Sequence, residues 1–320
     1  MRKKMKKIYT MAIALAAVAS LHAEDAATES HWTRGGSASL QFTQGFVSKN
    51  WYKGGESNFA LLSTADYMFN YKNGNFTWDN LLEGKLGFVT TPSDTYHSYM
   101  TNNDYMKFTS KIGYKAAGDW YYTIQGIGQT QFCPGFSAND PIEKSKFMSP
   151  AYVNVSIGMD YKKTLDDINW TVFIGPLAYN LKFVNDPYGK TLVNGEYVVD
   201  TNRGKINASA FGLKHAWDYN LYDFGVSAKA MMNWKVCKYL TWSSQATYFS
   251  PLYDCGKYKG NVYTTVDWEN TFDMPLNKYF STKLYTHLRF DDSVGPDNKY
   301  KGWGYFQLTE LLSFGLSYKF

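Results

Sequence analysis

The chain has 320 residues, with 33 Lys and Arg against 28 Asp and Glu, and 18% of it is aromatic. Five of the bases and none of the acids fall in the first 23 residues, so the remainder is balanced at 28 bases and 28 acids. That balance removes the electrostatic case for a nucleic-acid partner, and no later stretch approaches the roughly 18 consecutive apolar residues of a transmembrane helix.

The chain opens with Arg2, Lys3, Lys4, Lys6 and Lys7, an apolar run from Ile8 to Leu21, and His22-Ala23. This pattern predicts a secretory signal peptide over 1–23, cleaved after Ala23. Its apolar core is shorter than the roughly 20 residues a membrane span needs. Residues 24–34 read as a short leader, and 35–320 as one domain without linkers.

Twelve extended segments follow, and the gaps between them alternate in length. Short gaps fall at 72–75, 116–119, 164–167, 236–238 and 275–278. Long gaps fall at 48–56, 90–103, 133–149, 185–220, 251–260 and 293–303. All tight turns therefore lie at one end of the sheet. A closed antiparallel transmembrane β-barrel has this organisation, with short periplasmic turns and long extracellular loops. The expected count is twelve strands. The alternative is fourteen, if the segment 208–219 forms an extra hairpin.

Period-two alternation supports the strands. Near the start, Phe76, Trp78, Leu82, Leu86 and Phe88 share one face, with Asp79, Glu83 and Lys85 on the other. Lys107 and Lys111 take the inner face of the next segment. The segment around Gly175-Pro176 changes phase, where a bulge would flip the register. Further on, Phe224, Val226, Ala228, Ala230, Met232 and Trp234 face out and Lys229 faces in. The two segments that follow 260 place Asp267, Glu269 and Asp273 inward on one, and Lys283, His287 and Arg289 inward on the next. Acids on one strand facing bases on its neighbour form natural cross-strand pairs. These twelve ionisable residues are the candidate lumen lining.

The final segment is the cleanest. Phe306, Leu308, Leu312, Phe314, Leu316, Tyr318 and Phe320 share a face that only Glu310 interrupts. A tilted strand climbs about 2.5 Å of membrane per residue, which lifts Glu310 roughly 25 Å above Phe320, to the outer interface. Phe314, Leu316, Tyr318 and Phe320 form the expected signal for the barrel assembly machinery. Trp78, Trp120, Trp170, Trp234 and Trp242 all lie beside short turns, as an interfacial aromatic girdle requires. These features predict a monomer in contact with outer-membrane lipid in a Gram-negative outer membrane, with both termini periplasmic.

Other chemistry is sparse. Cys133 and Cys255 fall in long loops and are placed either to bridge or to remain separate thiols; Cys237 falls in a short turn. No phosphate loop, dinucleotide fingerprint or metal-spaced cluster is present, and no cofactor is implied. His287 is the one histidine expected in the lumen, beside Lys283 and Arg289. It reads as a hydrogen-bond partner within a charge lattice rather than a catalytic base, so no enzyme activity is expected. Trp51, Gly54 and Gly55 form an aromatic and glycine turn at the first long loop, a candidate extracellular contact.

The run Asn50-Trp51-Tyr52-Lys53-Gly54-Gly55-Glu56-Ser57 resembles the N-W-x-x-G-G-x-x-S stretch of the family termed domain of unknown function 3078, outer-membrane barrels of Bacteroides-type bacteria. Phe76-Thr77-Trp78-Asp79-Asn80, Ser149-Pro150-Ala151-Tyr152, Gly175-Pro176-Leu177, Val266-Asp267-Trp268-Glu269-Asn270 and the ending Ser317-Tyr318-Lys319-Phe320 carry the likeness further, across about residues 34 to 320. The resemblance implies a barrel and no particular activity. Three function classes follow: a narrow pore or channel for small solutes, a closed structural or adaptor barrel that binds a partner through its loops, and a lipid-modifying barrel enzyme. The first is preferred, because mixed charge on the inner wall suits a solute path without strong ion selectivity.

Overall fold

A computed structural model describes residues 31–45, 58–90, 92–252, 264–277, 279–291 and 306–319. Its strands are β1 (Trp32–Gly45), β2 (Asn58–Asn73), β3 (Phe76–Thr90), β4 (Met100–Ala117), β5 (Trp120–Thr130), β6 (Ala151–Thr164), β7 (Ile168–Phe183), β8 (Gly189–Val193), β9 (Glu196–Asp200), β10 (Asn220–Cys237), β11 (Leu240–Pro251), β12 (Thr265–Pro275), β13 (Phe280–Asp291) and β14 (Phe306–Lys319). Twelve of them close into one antiparallel barrel, in the order β1-β14-β13-β12-β11-β10-β7-β6-β5-β4-β3-β2. The other two, β8 and β9, form a separate hairpin.

Closure joins β1 to β14, with Ser37 opposite Lys319 and Phe42 opposite Phe314. Gly315 sits at this seam. A Cβ there would lie 2.1 Å from the Leu40 carbonyl oxygen and 2.7 Å from Gln41 Cα, so the close approach of the two strands needs glycine. Residues 32–34 were expected in the leader. They are instead the first rungs of β1, paired with Tyr71, Asn70 and Phe69, and the Trp32 ring packs 5.1 Å from Tyr71 and 5.8 Å from Trp78. An aromatic residue at that depth meets girdle neighbours on the next two strands, β2 and β3, and the pairing of β1 already runs through residues 32–34.

That girdle continues round the short-turn end. Trp120 and Trp170 flank Tyr161 at 5.1 Å each. Trp242 lies between Trp234 at 6.2 Å and Phe272 at 5.6 Å. Above it the exterior is apolar: Leu40, Phe108, Ile112, Ile124, Val155, Ile157, Ile174, Phe224, Leu308, Leu312, Phe314, Leu316 and Tyr318 are all exposed on the outer wall. Glu310 is exposed among them, opposite Thr286 of β13. Phe320 lies outside the described residues. An apolar outer face on a closed sheet has no free backbone edge, which is what hydrocarbon demands.

The phase change in β7 is a bulge. Against β6, Ile157 pairs with Leu177 and Met159 with Ile174, so Gly175 and Pro176 together oppose Gly158 alone. Phe173 and Ala178 consequently both point inward and are fully buried, while Ile174 and Leu177 both face out. A second two-against-one step opposes Asn103 and Asp104 to Leu86.

Residues 208–219, the segment weighed for a thirteenth and fourteenth strand, hold a short 3-10 helix at Ala208–Phe211 instead. Asn207 caps its start by accepting from the Ser209 amide, and Gly212, at φ 86°, ends it in the left-handed region. The extra hairpin of this loop is β8–β9, turned by Asn194 (φ 53°) and Gly195 (φ 85°), the residue pair that favours a two-residue hairpin turn. Val184, Ile206, Ala208, Leu213 and Leu221 pack into a small core beneath it, with Phe211 against them. This cap is tied to the neighbouring loop by the Asn185 amide donating to the Met148 carbonyl at 2.9 Å and by an ion pair between Lys146 and Asp186.

Candidate functional site

The inner wall follows from alternation. Residues one apart on a strand face opposite sides, so the apolar outer set leaves its neighbours to fill the bore. All twelve candidate residues are there. Lys107, Lys229, Asp267, Glu269, His287 and Arg289 line an outer cavity of about 240 Å³ toward the long loops. Asp79, Glu83, Lys85, Lys111, Asp273, Lys283 and again Glu269 line an inner cavity of about 610 Å³ toward the short turns.

Glu269 separates the two. Its carboxylate accepts from Lys85 Nζ at 3.4 Å and from Tyr285 Oη at 2.8 Å, and lies 3.9 Å from Lys107 Nζ. Lys107 also pairs with Glu83 at 3.0 Å, its direct cross-strand partner. Lys85 Nζ stands 4.0 Å from the Tyr285 ring centroid and 5.0 Å from that of Tyr105. In the barrel order, β12 is six strands from β4 and five from β3. These contacts therefore span the bore from wall to wall. Five side chains meet across the bore at this level, between the two cavities.

Two further networks lie on either side. Below, Lys111 pairs with the fully buried Asp160 at 3.2 Å, and Lys162 bonds Asp79 and lies 4.0 Å from Asp160. Lys111 also rests 5.6 Å from the Phe173 ring. Above, His287 Nε2 lies 2.8 Å from Asp267 Oδ1, and Arg289 Nη1 lies 3.6 Å from Asp267 Oδ2. The Lys111–Asp160 pair is buried, and its attraction offsets part of the desolvation of the two charges. His287 faces the bore with its Nε2 against a carboxylate, away from the lipid face where a lipid substrate would lie.

Sequence reasoning left out Asp160, Lys162, Asp66, Tyr105 and Lys182, which also line the bore. The signal for Asp160 and Lys162 was present: Val153, Val155, Ile157 and Met159 alternate with them along β6. Lys182 follows the β7 bulge, and alternation counted from the phase change at Gly175-Pro176 also sets it on the inner face, between outward Leu181 and Phe183. Trp51, Gly54 and Gly55 lie outside the described residues, as does Cys255, the partner weighed for Cys133.

A closed twelve-strand antiparallel barrel with an apolar exterior and an ionised interior defines the class as a membrane-spanning β-barrel. Residues 42–136 match the model of the family described as Protein of unknown function (DUF3078), the family the sequence resembles. No curated protein matches the chain. Solved structures similar to it include the COG4313 outer membrane channel from Pseudomonas putida F1 (11% identity, 94% of this chain and 99% of that one, TM-score 0.38). The translocator domain of autotransporter NalP from Neisseria meningitidis is another (12%, 100% and 98%, TM-score 0.35), and the NanC porin a third (10%, 88% and 97%, TM-score 0.36).

Proposed function

We propose that the protein is a monomeric outer-membrane barrel that provides a narrow, gated path for small solutes, with both termini in the periplasm. The observation that supports this reading most is the nature of the closure. Lys85, Lys107, Glu83, Glu269 and Tyr285 block the bore with long, flexible, polar side chains, and a cavity lies on each side of them. Small barrels fill their bore with side chains, and here the fill at this level is five polar side chains between two cavities. A constriction built of side-chain ion pairs opens by rotation about single bonds, with no strand displaced. Exchange of partners among Lys85, Lys107, Glu83 and Glu269 keeps each charge compensated as a solute passes. The exposed apolar face of β14, with Phe314, Leu316 and Tyr318, fits the role of assembly signal.

Purified barrel in planar lipid bilayers tests this. Brief discrete current steps are expected, and their size should change in Arg289→Ala and Lys283→Ala, whose side chains line the two cavities. Silence at every voltage in all three proteins would remove the reading.

The cap over 184–221 favours a second reading, a closed adaptor barrel that presents this surface to a partner. Its separate core, and the exposed Leu192, Val193, Tyr197, Val198 and Val199 of the β8–β9 hairpin, are the observations behind it. Deleting 189–200 should abolish a partner interaction and leave conductance intact if this reading holds.

A further inference from the structure

The seam of the barrel is laddered over only part of its length, although both of its strands continue. β1 and β14 pair from Ser37 opposite Lys319 to Phe42 opposite Phe314, and the pairing stops there. The same register would next set Thr43 against Ser313, Gln44 against Leu312 and Gly45 against Leu311. All of these residues are described, and each keeps its ladder on the other side. β1 pairs with β2 as far as Gly45 opposite Asn58, and β14 pairs with β13 as far as Phe306 opposite Phe290. The Ser317 amide donates to the Tyr279 carbonyl, toward β13. Alternation then turns the Leu312 and Leu316 amides toward β1, so Leu312 and Gln44 are the pair that would exchange backbone bonds. Across the seam at this level Thr43 Oγ1 donates to the Leu312 carbonyl at 3.4 Å, and just below it Ser313 Oγ donates to Gln41 Oε1.

The unladdered stretch lies one to three residues below Glu310, in the outer leaflet. Three rungs are about 10 Å of strand. Strand backbone without a ladder is costly in hydrocarbon, and the register and both flanking ladders permit the missing rungs. The inner wall behind the stretch is unusual too. Cross-strand partners share a face, so Leu62 faces the bore with Gln41, Ala60 with Thr43 and Val89 with Ala60, while Leu311 faces it beside Tyr285. These four are apolar and half-buried, on a wall that is otherwise polar, as barrel interiors are. Phe42, Leu312 and Phe314 are exposed on the lipid side of the same stretch. The seam is therefore apolar on both faces where its ladder is missing.

We infer that the outer half of the β1–β14 seam is a lateral portal, through which an amphipathic molecule with a single hydrocarbon chain passes between the bore and the outer leaflet. The chain lies along Leu62, Ala60, Val89 and Leu311, and the polar head turns toward Tyr285, which lines the outer cavity. Parting the strands here breaks one side-chain bond, Thr43 to Leu312, and no rung. A slot of this length admits one extended chain and excludes a folded segment. The portal goes beyond the solute path, because it opens above the layer of Lys85, Lys107 and Glu269 and needs no movement of that layer.

The full barrel in lipid nanodiscs tests it, with laurate carrying a diazirine at its terminal carbon as the probe and mass spectrometry mapping the cross-links. Inward-facing Leu62 and Leu311 should be labelled together with outward-facing Leu308 and Phe314. In a background with Cys133, Cys237 and Cys255 replaced by Ser, the pair Gln44→Cys and Leu312→Cys joined by a short bis-methanethiosulfonate should lose the inward labels and keep the outward ones, and reduction should restore them. Should that variant fail to fold, Leu62→Asn removes one apolar contact from the chain's path and should reduce labelling at Leu311 about tenfold. Amide hydrogen exchange in the wild type gives a reading without any substitution. Gln44 and Leu312 should exchange at least about tenfold faster than Leu40 and Leu316, which are paired on the same seam. Labels confined to the outer wall, inward labels that survive the cross-link, or equal exchange at the two pairs would each overturn the portal. Conductance plays no part in these readings, so a barrel silent in planar bilayers that still takes the inward label loses the axial path and keeps the portal.

Discussion

Glu269→Gln is the most informative single change. The native carboxylate has Lys85 Nζ at 3.4 Å and Lys107 Nζ at 3.9 Å. With an effective dielectric near 20, these separations correspond to attractions of about 5 and about 4 kcal/mol. Desolvation of three ions offsets most of that sum, so the gross figure is not the stability gained. The measurable quantity is the cost of removing one partner from a largely buried pair, about 3–5 kcal/mol. Glu269 is partly hydrated, with a side-chain exposure of 20%, which places the expected loss at the lower end, about 3 kcal/mol. Tyr285 keeps an acceptor in the amide oxygen, so the loss reports charge. Urea unfolding in micelles, followed by tryptophan fluorescence, reads it. The double variant Glu269→Gln, Lys85→Met should recover part of the loss by removing one orphaned cation. A Glu269→Gln barrel within about 1 kcal/mol of the wild type would refute the idea that this carboxylate neutralises opposite walls.

Gly315→Ala should prevent closure, because its Cβ would meet the Leu40 carbonyl at 2.1 Å; loss of the compact, heat-modifiable band on a gel reads this, and a normal band would contradict the seam geometry. In a Cys255→Ser background, Cys133 and Cys237 should differ in reactivity. Burial, and then the Asp104 charge, push the Cys133 thiol up to about 11, so at pH 7 it should alkylate slowly and speed up as the pH rises toward that value, whereas exposed Cys237 should react at once in the purified protein. In intact cells an impermeant maleimide should miss Cys237, and rapid labelling there would invert the proposed orientation. Overexpression should leave lipid A and phospholipid unchanged, and a lipid product that disappears in His287→Ala would establish an enzyme instead.

The strand plan was legible because it rests on two local signals, alternation and turn length. The barrel end at Phe306–Tyr318 and the opposed charges on β12 and β13 needed nothing else. The bulge at Gly175-Pro176 was also local, since the apolar phase changes across it. The cap hairpin was missed although Asn194-Gly195, flanked by Leu192-Val193 and Tyr197-Val198, is a strong hairpin signal; the segment 208–219, with some strand character of its own, instead opens on a 3-10 turn whose Phe211 packs against the small core. Period-two counting gives the inward set of each strand but not which residues touch across the bore. The meeting of Glu269 with Lys85 and Lys107 depends on the ring order and shear of the closed barrel, a global property.

The central claim is that side chains alone hold the bore shut at one level. Replacing Lys85, Lys107 and Glu269 together by Ala removes three of the five side chains of that layer, two cations and one anion, and leaves Glu83 and Tyr285. Single-channel recording of this triple variant in planar bilayers, alongside the wild type, is the most direct test. A folded triple variant that conducts steadily, where the wild type opens only briefly, is the predicted result; a folded triple variant that stays silent at every voltage would contradict it.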